Sequence, residues 1–178
     1  MNEILIEGGR LRLRRAEESD LKYIVALENA PENLKYIVPF DENFHRETIQ
    51  SGGAQKLDVI IEERDTGERV GTFFLDNLHR HKIEFTHVII GKKRVGYGRE
   101  SLQLLLKWSF EVRKFHRACL DCKTYNEPAI HLYESLGFVR EGVMRDTILT
   151  GDVYEDLILF GMLENEYFER KNSSESKK

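Results

Sequence analysis

The chain has 178 residues, 40% of them apolar and 33% charged, with a formal net charge of −4. That is one ordinary domain with enough apolar residues for a single core, and it lacks the basic excess of a general nucleic-acid binder. No run of eighteen apolar residues is present, which excludes a transmembrane helix, so no membrane partner is expected. The opening Met1-Asn2-Glu3-Ile4 has no basic stretch leading into an apolar one, so no secretory signal is read and a cytoplasmic setting is expected.

Residues 10–14 alternate arginine with leucine, the period of a half-buried strand. Ser19 and Asp20 then offer caps for a helix carrying Leu21, Ile24, Val25 and Leu27 on one face. Pro31 punctuates, and residues 32–51 read as one or two short helices ending at Gly52-Gly53. Residues 57–63 and 69–75 form a predicted hairpin around Asp65-Thr66-Gly67-Glu68. A polar loop with His79, Arg80 and His81 leads to a strand at 83–90, a glycine-bearing basic loop and a strong helix over about 98–114. Residues 116–123 read as another strand. Asn126 caps a short helix with Glu127 and Pro128 in its first turn and Gly137 as its stop. Residues 138–145 and 154–163 read as two last strands around Thr150-Gly151-Asp152. The domain is placed at 1–170, and the polar tail 171–178 is expected to be disordered. The order of elements predicts an α/β or α+β domain with a mixed sheet.

Cys119 and Cys122 form a CxxC pair inside an apolar-alternating stretch. Three residues apart on a strand, they point to opposite faces and read as two small hydrophobes. His79 and His81 have no acidic or cysteine partner close in sequence, so no metal is expected.

The chemistry concentrates in Val88-Ile89-Ile90-Gly91-Lys92-Lys93-Arg94-Val95-Gly96-Tyr97-Gly98-Arg99, between a strand and a helix. A pyrophosphate needs converging main-chain N–H donors and a positive field. Glycines admit close approach of the backbone, the helix start adds unpaired N–H groups and its dipole, and the basic side chains add charge. A solvated glycine turn is the plainer reading of this segment taken alone.

With Lys93-Arg94-Val95-Gly96-Tyr97-Gly98, the segment resembles the acyl-CoA loop Q/R-x-x-G-x-G/A of the Gcn5-related N-acetyltransferase (GNAT) superfamily. Lys93 departs from the usual Gln or Arg, and Ile90 stands where many members have proline. Downstream, Asn126-Glu127-Pro128-Ala129-Ile130-His131-Leu132-Tyr133-Glu134-Ser135-Leu136-Gly137-Phe138 resembles N-x-x-A-x-x-L-Y-E-x-x-G-F in the expected order and at the expected distance. The similarity runs from Leu11 to about Tyr167 and is closest to the branch of ribosomal-protein N-terminal and spermidine/spermine acetyltransferases. It implies an acyl-CoA N-acyltransferase fold: a mixed sheet of about seven strands, splayed into a V, flanked by helices. Acetyl-CoA would lie in the split between the fourth and fifth predicted strands and donate to a primary amine, either a small molecule or a peptide, by direct attack in a ternary complex. A homodimer stays open.

The resemblance also implies roles. Tyr133 would be the general acid that protonates the leaving thiolate, with packing against Phe138 as the plainer reading. Glu84 would be the base that frees the amine, with an ordinary strand carboxylate as the plainer reading. His87, on the opposite parity in a regular strand, reads as a packing residue or one facing solvent. Main-chain groups of Val88, Ile89 and Ile90 would pair with the pantetheine arm. Residues 93–99 would hold the pyrophosphate, and Asn126 would contact the cofactor while capping its helix. Glu28, Glu32 and Glu155, with Asp41 and Glu42, are candidates for the amine side of the cleft.

Two rivals stay in view. A dinucleotide-binding oxidoreductase would need a third glycine after Gly96 and Gly98, a tight turn after its strand and a second βαβ half. A non-catalytic acyl-CoA sensor or interaction module of the same fold would share the loop but not need Tyr133.

Overall fold

The computed structural model describes residues 3–78 and 81–175. Eight strands form one sheet in the order β1-β2-β3-β4-β5-β6-β8-β7. They are β1 (Ile4–Glu7), β2 (Leu11–Arg15), β3 (Leu57–Glu63), β4 (Arg69–Asp76), β5 (Lys82–Ile90), β6 (Arg117–Lys123), β7 (Val139–Thr150) and β8 (Val153–Leu163). Neighbours are antiparallel except β5 and β6, which run parallel. The helices are α1 (Leu21–Glu28), α2 (Pro31–Leu34), α3 (Glu42–Gln50), α4 (Tyr97–Lys107), α5 (Glu127–Leu136) and α6 (Glu164–Glu175).

The first strand adds to the expected count. Residues 4–7 pair with β2, and Gly8 N donates to Leu11 O at 2.8 Å to close the turn. The last helix runs past Arg170, where the sequence reading ends the ordered domain; residues 176–178 lie outside the described residues. Asp20 does not cap α1. Its carboxylate accepts from Arg14 Nη1 at 2.7 Å and from Glu17 N at 2.9 Å, because the buried arginine needs its charge more than the helix needs a cap. Asn126 does cap α5, accepting from Ala129 N at 3.3 Å, and Gly137 stops that helix at φ 101°. The helix after the basic loop starts at Tyr97 and loosens into a π-helical turn over Trp108–Val112.

The leucine–arginine alternation of β2 is buried on both sides. Leu11 and Leu13 join the large core with Val59, Phe73, Phe85, Leu105 and Phe160, under α4 and α5. Arg14 faces the other way and pairs with Asp20 and Glu62 beneath the α1 side of the sheet. Cys119 and Cys122 are free and fall on opposite faces, as their spacing requires.

Two features of the sheet position the site. The parallel pairing of β5 and β6 is short, from Lys82↔Arg117 to Phe85↔Leu120. Beyond it β5 continues beside β4 to Ile90, and β6 continues beside β8 to Lys123, so the two strands part into a slot. The second feature is a bulge in β5. Phe74 pairs with His87 but Leu75 pairs with Phe85, which leaves Thr86 unmatched and reverses the parity of everything after it.

Candidate active site

The loop before α4 has the backbone that an anion site needs. Arg94 (φ 66°) and Gly96 (φ 85°) are both left-handed, and no side chain caps α4. The first bond of the turn is Glu100 N to Gly96 O, at 3.3 Å, so the earlier N–H groups of the helix have no acceptor within it. A Cβ on Gly98 would lie 3.5 Å from both Ile90 Cγ1 and Leu132 Cδ2. The helix start therefore sits where the end of β5 and the face of α5 meet, at the slot.

The basic side chains are less concentrated than the sequence suggests. Lys92 turns away to Glu63 and Glu68, at 2.9 and 3.0 Å. Lys93 Nζ donates to Asn33 Oδ1 at 3.0 Å, and Arg99 ties α4 to α5 through Ser135 Oγ at 2.6 Å. The Tyr97 hydroxyl donates to Glu63, so Tyr97 has only its main chain to offer at the helix start. Arg10 donates to Val95 O at 3.1 Å and braces the loop from β2's side. Val88 and Ile90 pack against the large core, whereas Ile89 is buried on the opposite face, so its own contribution to the slot is also main chain.

Tyr133 enters from α5, its ring edge-on to Phe138 and Phe160. Burial, then the neighbouring Cys122 and Asp121, push its phenol well above the ordinary range and keep it protonated. Asp121 is the first residue of β6 beyond the last rung shared with β5. Burial, then Glu84, raise its carboxyl to about 6, against the opposing influence of His87.

On the other face of the slot the bulge corrects the expected parity. Glu84 and His87 lie on the same face, not opposite ones, and His87 does not face solvent. Glu84 stays within the paired part of β5, where its Oε2 accepts from Asn77 at 3.1 Å and lies 3.8 Å from Lys82 Nζ. His87 is the second residue past the last β5–β6 rung, after the bulged Thr86. Its Nδ1 lies 2.6 Å from Glu28 Oε1, and its ring stacks on Phe40 at 4.6 Å. Glu28 Oε2 accepts from Phe40 N at 2.9 Å and lies 3.2 Å from His45 Nε2. His45 Nδ1 in turn lies 3.0 Å from Asp58 Oδ1. The His45 Nε2 contact is an ion pair whose angle falls outside hydrogen-bond geometry.

Glu28 is 0% exposed with both oxygens engaged, so it does not present a carboxylate to an incoming amine. Glu155 is likewise committed: Lys123 Nζ, itself fully buried, lies 2.6 Å away, and Tyr125 and Thr150 also donate to it. Of the five carboxylates expected on the amine side, Asp41 caps α3 by accepting from Phe44 N and Glu42 pairs with Arg46, which leaves Glu32, exposed in the first turn of α2, placed to offer one freely. His45, Asp58, Asp121 and Lys123 were not legible as site residues. The one signal was a charge, Asp58, inside the apolar run of β3. His79 lies outside the described residues. Among the described residues no group of three or more His, Cys, Asp or Glu is placed to hold a metal ion, so the Asp58–His45–Glu28–His87 run is a chain of polar contacts. No helix among the described residues is long and apolar enough to cross a membrane.

The acetyltransferase (GNAT) domain family matches residues 10–139. The chain belongs to the GNAT acetyltransferases. This GNAT chain is 26% identical over 171 residues to a spermidine N(1)-acetyltransferase of Vibrio cholerae, covering 92% of this chain and 98% of that one. It is 30% identical over 172 residues to the N-acetyltransferase p20 of Bacillus licheniformis, with 89% and 95% covered. The crystal structure of the Vibrio cholerae spermidine N-acetyltransferase in complex with CoA and spermine superposes with a TM-score of 0.79 at 24% identity, over 90% of this chain and 99% of that one. A GNAT acetyltransferase structure from Bacillus anthracis gives 0.75 at 25% identity, over 93% and 99%. The eight-stranded splayed sheet is thus the GNAT fold, and the chain is an acetyl-CoA-dependent acyltransferase.

Proposed function

We propose that this GNAT acetyltransferase moves the acetyl group of acetyl-CoA onto a primary amine by direct attack within a ternary complex. The observation that carries the reading is the slot between β5 and β6, with the uncapped start of α4 at one end and Tyr133 beside it. Main-chain amides of residues 94–99 would take the pyrophosphate, with Arg94 adding charge from the strained loop. The outer main-chain edge of Val88, Ile89 and Ile90, past the last β6 rung, would pair with the pantetheine arm as a strand would. Asn126, at the start of α5, would contact the same arm.

Tyr133 suits the exit of the thiolate. Its raised phenol stays protonated at neutral pH and is a donor until a strong base forms beside it. The acceptor would enter over α1 and α2, past Glu32 and the Tyr36–Tyr125 pair, whose ring centroids are 6.3 Å apart. A cationic aliphatic amine fits this rim, with exposed carboxylate and aromatic faces, and a peptide N-terminus is the other amine of that class. Spermidine is the first probe, since relatives carry that activity in their names.

The deciding experiment is thiol release from acetyl-CoA against spermidine, spermine, single amines, amino acids and short peptides. Turnover with at least one amine is expected. Acetyl-CoA binding without turnover on any of them would replace the enzyme with a sensor, and no binding by calorimetry would remove the site.

A further inference from the structure

We propose that His87 is the base that deprotonates the acceptor ammonium, and that Glu28, His45 and Asp58 form the buried relay that holds it in the right tautomer and stabilises the charge it gains. The inference rests on the amine-acetylating reading above and names its proton acceptor.

The geometry sets the order of the chain. Glu28 is fully buried, and its carboxyl is subject to burial, which raises it, and to the contacts of His45 and His87, which win and hold it at about 2. An ionised carboxylate can only accept, so the 2.6 Å contact must be His87 Nδ1–H donating to Glu28 Oε1. In a neutral imidazole that leaves Nε2 as a lone pair. Phe40, stacked on the ring at 4.6 Å, and Phe74, edge-on at 6.4 Å, fix its plane.

Behind Glu28, burial would lower His45, but Asp58 and then Glu28 raise it to about 9, so it is charged at neutral pH. Asp58 and Glu28 flank His45 on either side, so the relay ends in the Glu28 carboxylate that contacts His87. The titratable groups facing His87 are Glu28 on α1, His45 on α3, Asp58 on β3, Glu84 on its own strand and Asp121 on β6.

Position separates His87 from Glu84. Glu84 sits where β5 is still paired to β6 and its carboxylate is engaged by Asn77 and Lys82. The side chain of His87 is 8% exposed and stands just past the split, beyond the bulged Thr86. Tyr133 comes from α5 on the opposite side of the sheet. A base and an acid thus approach one slot from two faces.

The proton count closes. The ammonium gives one proton to His87 Nε2, and the freed nitrogen attacks the thioester carbon. As the C–S bond breaks, the thiolate takes the Tyr133 proton. The nitrogen's second proton restores the phenol as the amide forms, and His87 returns its proton to water.

Two measurements test the assignment. The first needs no turnover: ¹⁵N-histidine spectra, with His87 assigned by its loss in His87→Gln. The neutral ring should carry its proton on Nδ1, and a proton on Nε2 would overturn the proposal. The second is the pH profile of kcat/KM for acetyl-CoA and spermidine, or whichever amine the panel shows to react. His87→Ala should lower kcat by roughly 10²- to 10⁴-fold, remove the acidic limb of the profile and recover activity in added imidazole. Glu28→Gln should lower kcat at unchanged KM for acetyl-CoA, with Glu28→Asp restoring part of it. If the limb survives in His87→Ala and disappears in Glu84→Gln, the base is Glu84 and the assignment is wrong. A wild type inert toward every amine removes the proposed function instead, while the tautomer still reports on the relay.

Discussion

Replacing His45 by glutamine should flatten the loss of stability between pH 6.5 and 9. The wild-type imidazole is fully buried, and Asp58 and Glu28 raise it against burial from 6.5 to about 9. A group raised in the folded state contributes stability that is complete below its unfolded value and is lost as pH climbs through the folded one. At about 1.4 kcal/mol per pH unit, that gap corresponds to about 3 kcal/mol. The window is clean on both sides. Asp121, raised to about 6, has lost its contribution by its lower edge, and Cys122, raised from 9.0 to about 12, acts above its upper edge. Urea unfolding at half-unit pH steps gives the curve. Wild type should fall by about 3 kcal/mol across the window, His45→Gln by much less, and Asp58→Asn by an intermediate amount. Parallel curves for wild type and His45→Gln would refute the buried ion pair on which the relay depends.

Further outcomes follow from single contacts. Tyr133→Phe should lower kcat about 10²-fold with acetyl-CoA affinity unchanged by calorimetry, and should shift unfolding free energy by less than about 1 kcal/mol. Gly96→Ala forces a side chain into φ 85° with its Cβ 3.3 Å from Arg10 Nη2; it should cost about 1 kcal/mol and weaken acetyl-CoA binding. Glu155→Gln leaves the fully buried Lys123 without its carboxylate, and urea titration should show a loss of about 3 kcal/mol. Glu32→Gln, by contrast, should leave stability within about 0.5 kcal/mol and raise KM for the amine alone; an unchanged KM removes Glu32 from the acceptor rim.

The fold was legible where pattern and punctuation agree. The β3–β4 hairpin, α5 between Asn126 and Gly137, and the strand–loop–helix at residues 82–107 all carry their signals in neighbouring residues. The strand β1 was missed because Ile4-Leu5-Ile6 is too short a run to show a period, and only pairing with β2 makes it a strand. Polar contacts between distant residues were the blind spot. Glu28 and His87 are 59 positions apart, and Glu155 meets Lys123 only when β8 lies beside β6. Charges that look free in sequence are therefore neutralised in the fold. The parity of His87 failed for a sharper reason: a single unmatched residue, Thr86, reverses the strand's faces, and nothing in Phe85-Thr86-His87 announces it.

Among the described residues, four rungs, from Lys82↔Arg117 to Phe85↔Leu120, join the β1–β5 half of the sheet to the β6–β8 half. A pantetheine arm laid along β5 beyond them would serve as a removable ninth strand, restoring hydrogen bonds the polypeptide leaves open. Occupancy and cohesion would then be a single equilibrium, with the melting temperature climbing as the logarithm of the acyl donor's concentration. The enzyme would be tightest when fed, and most exposed to proteolysis along this seam when its donor runs out.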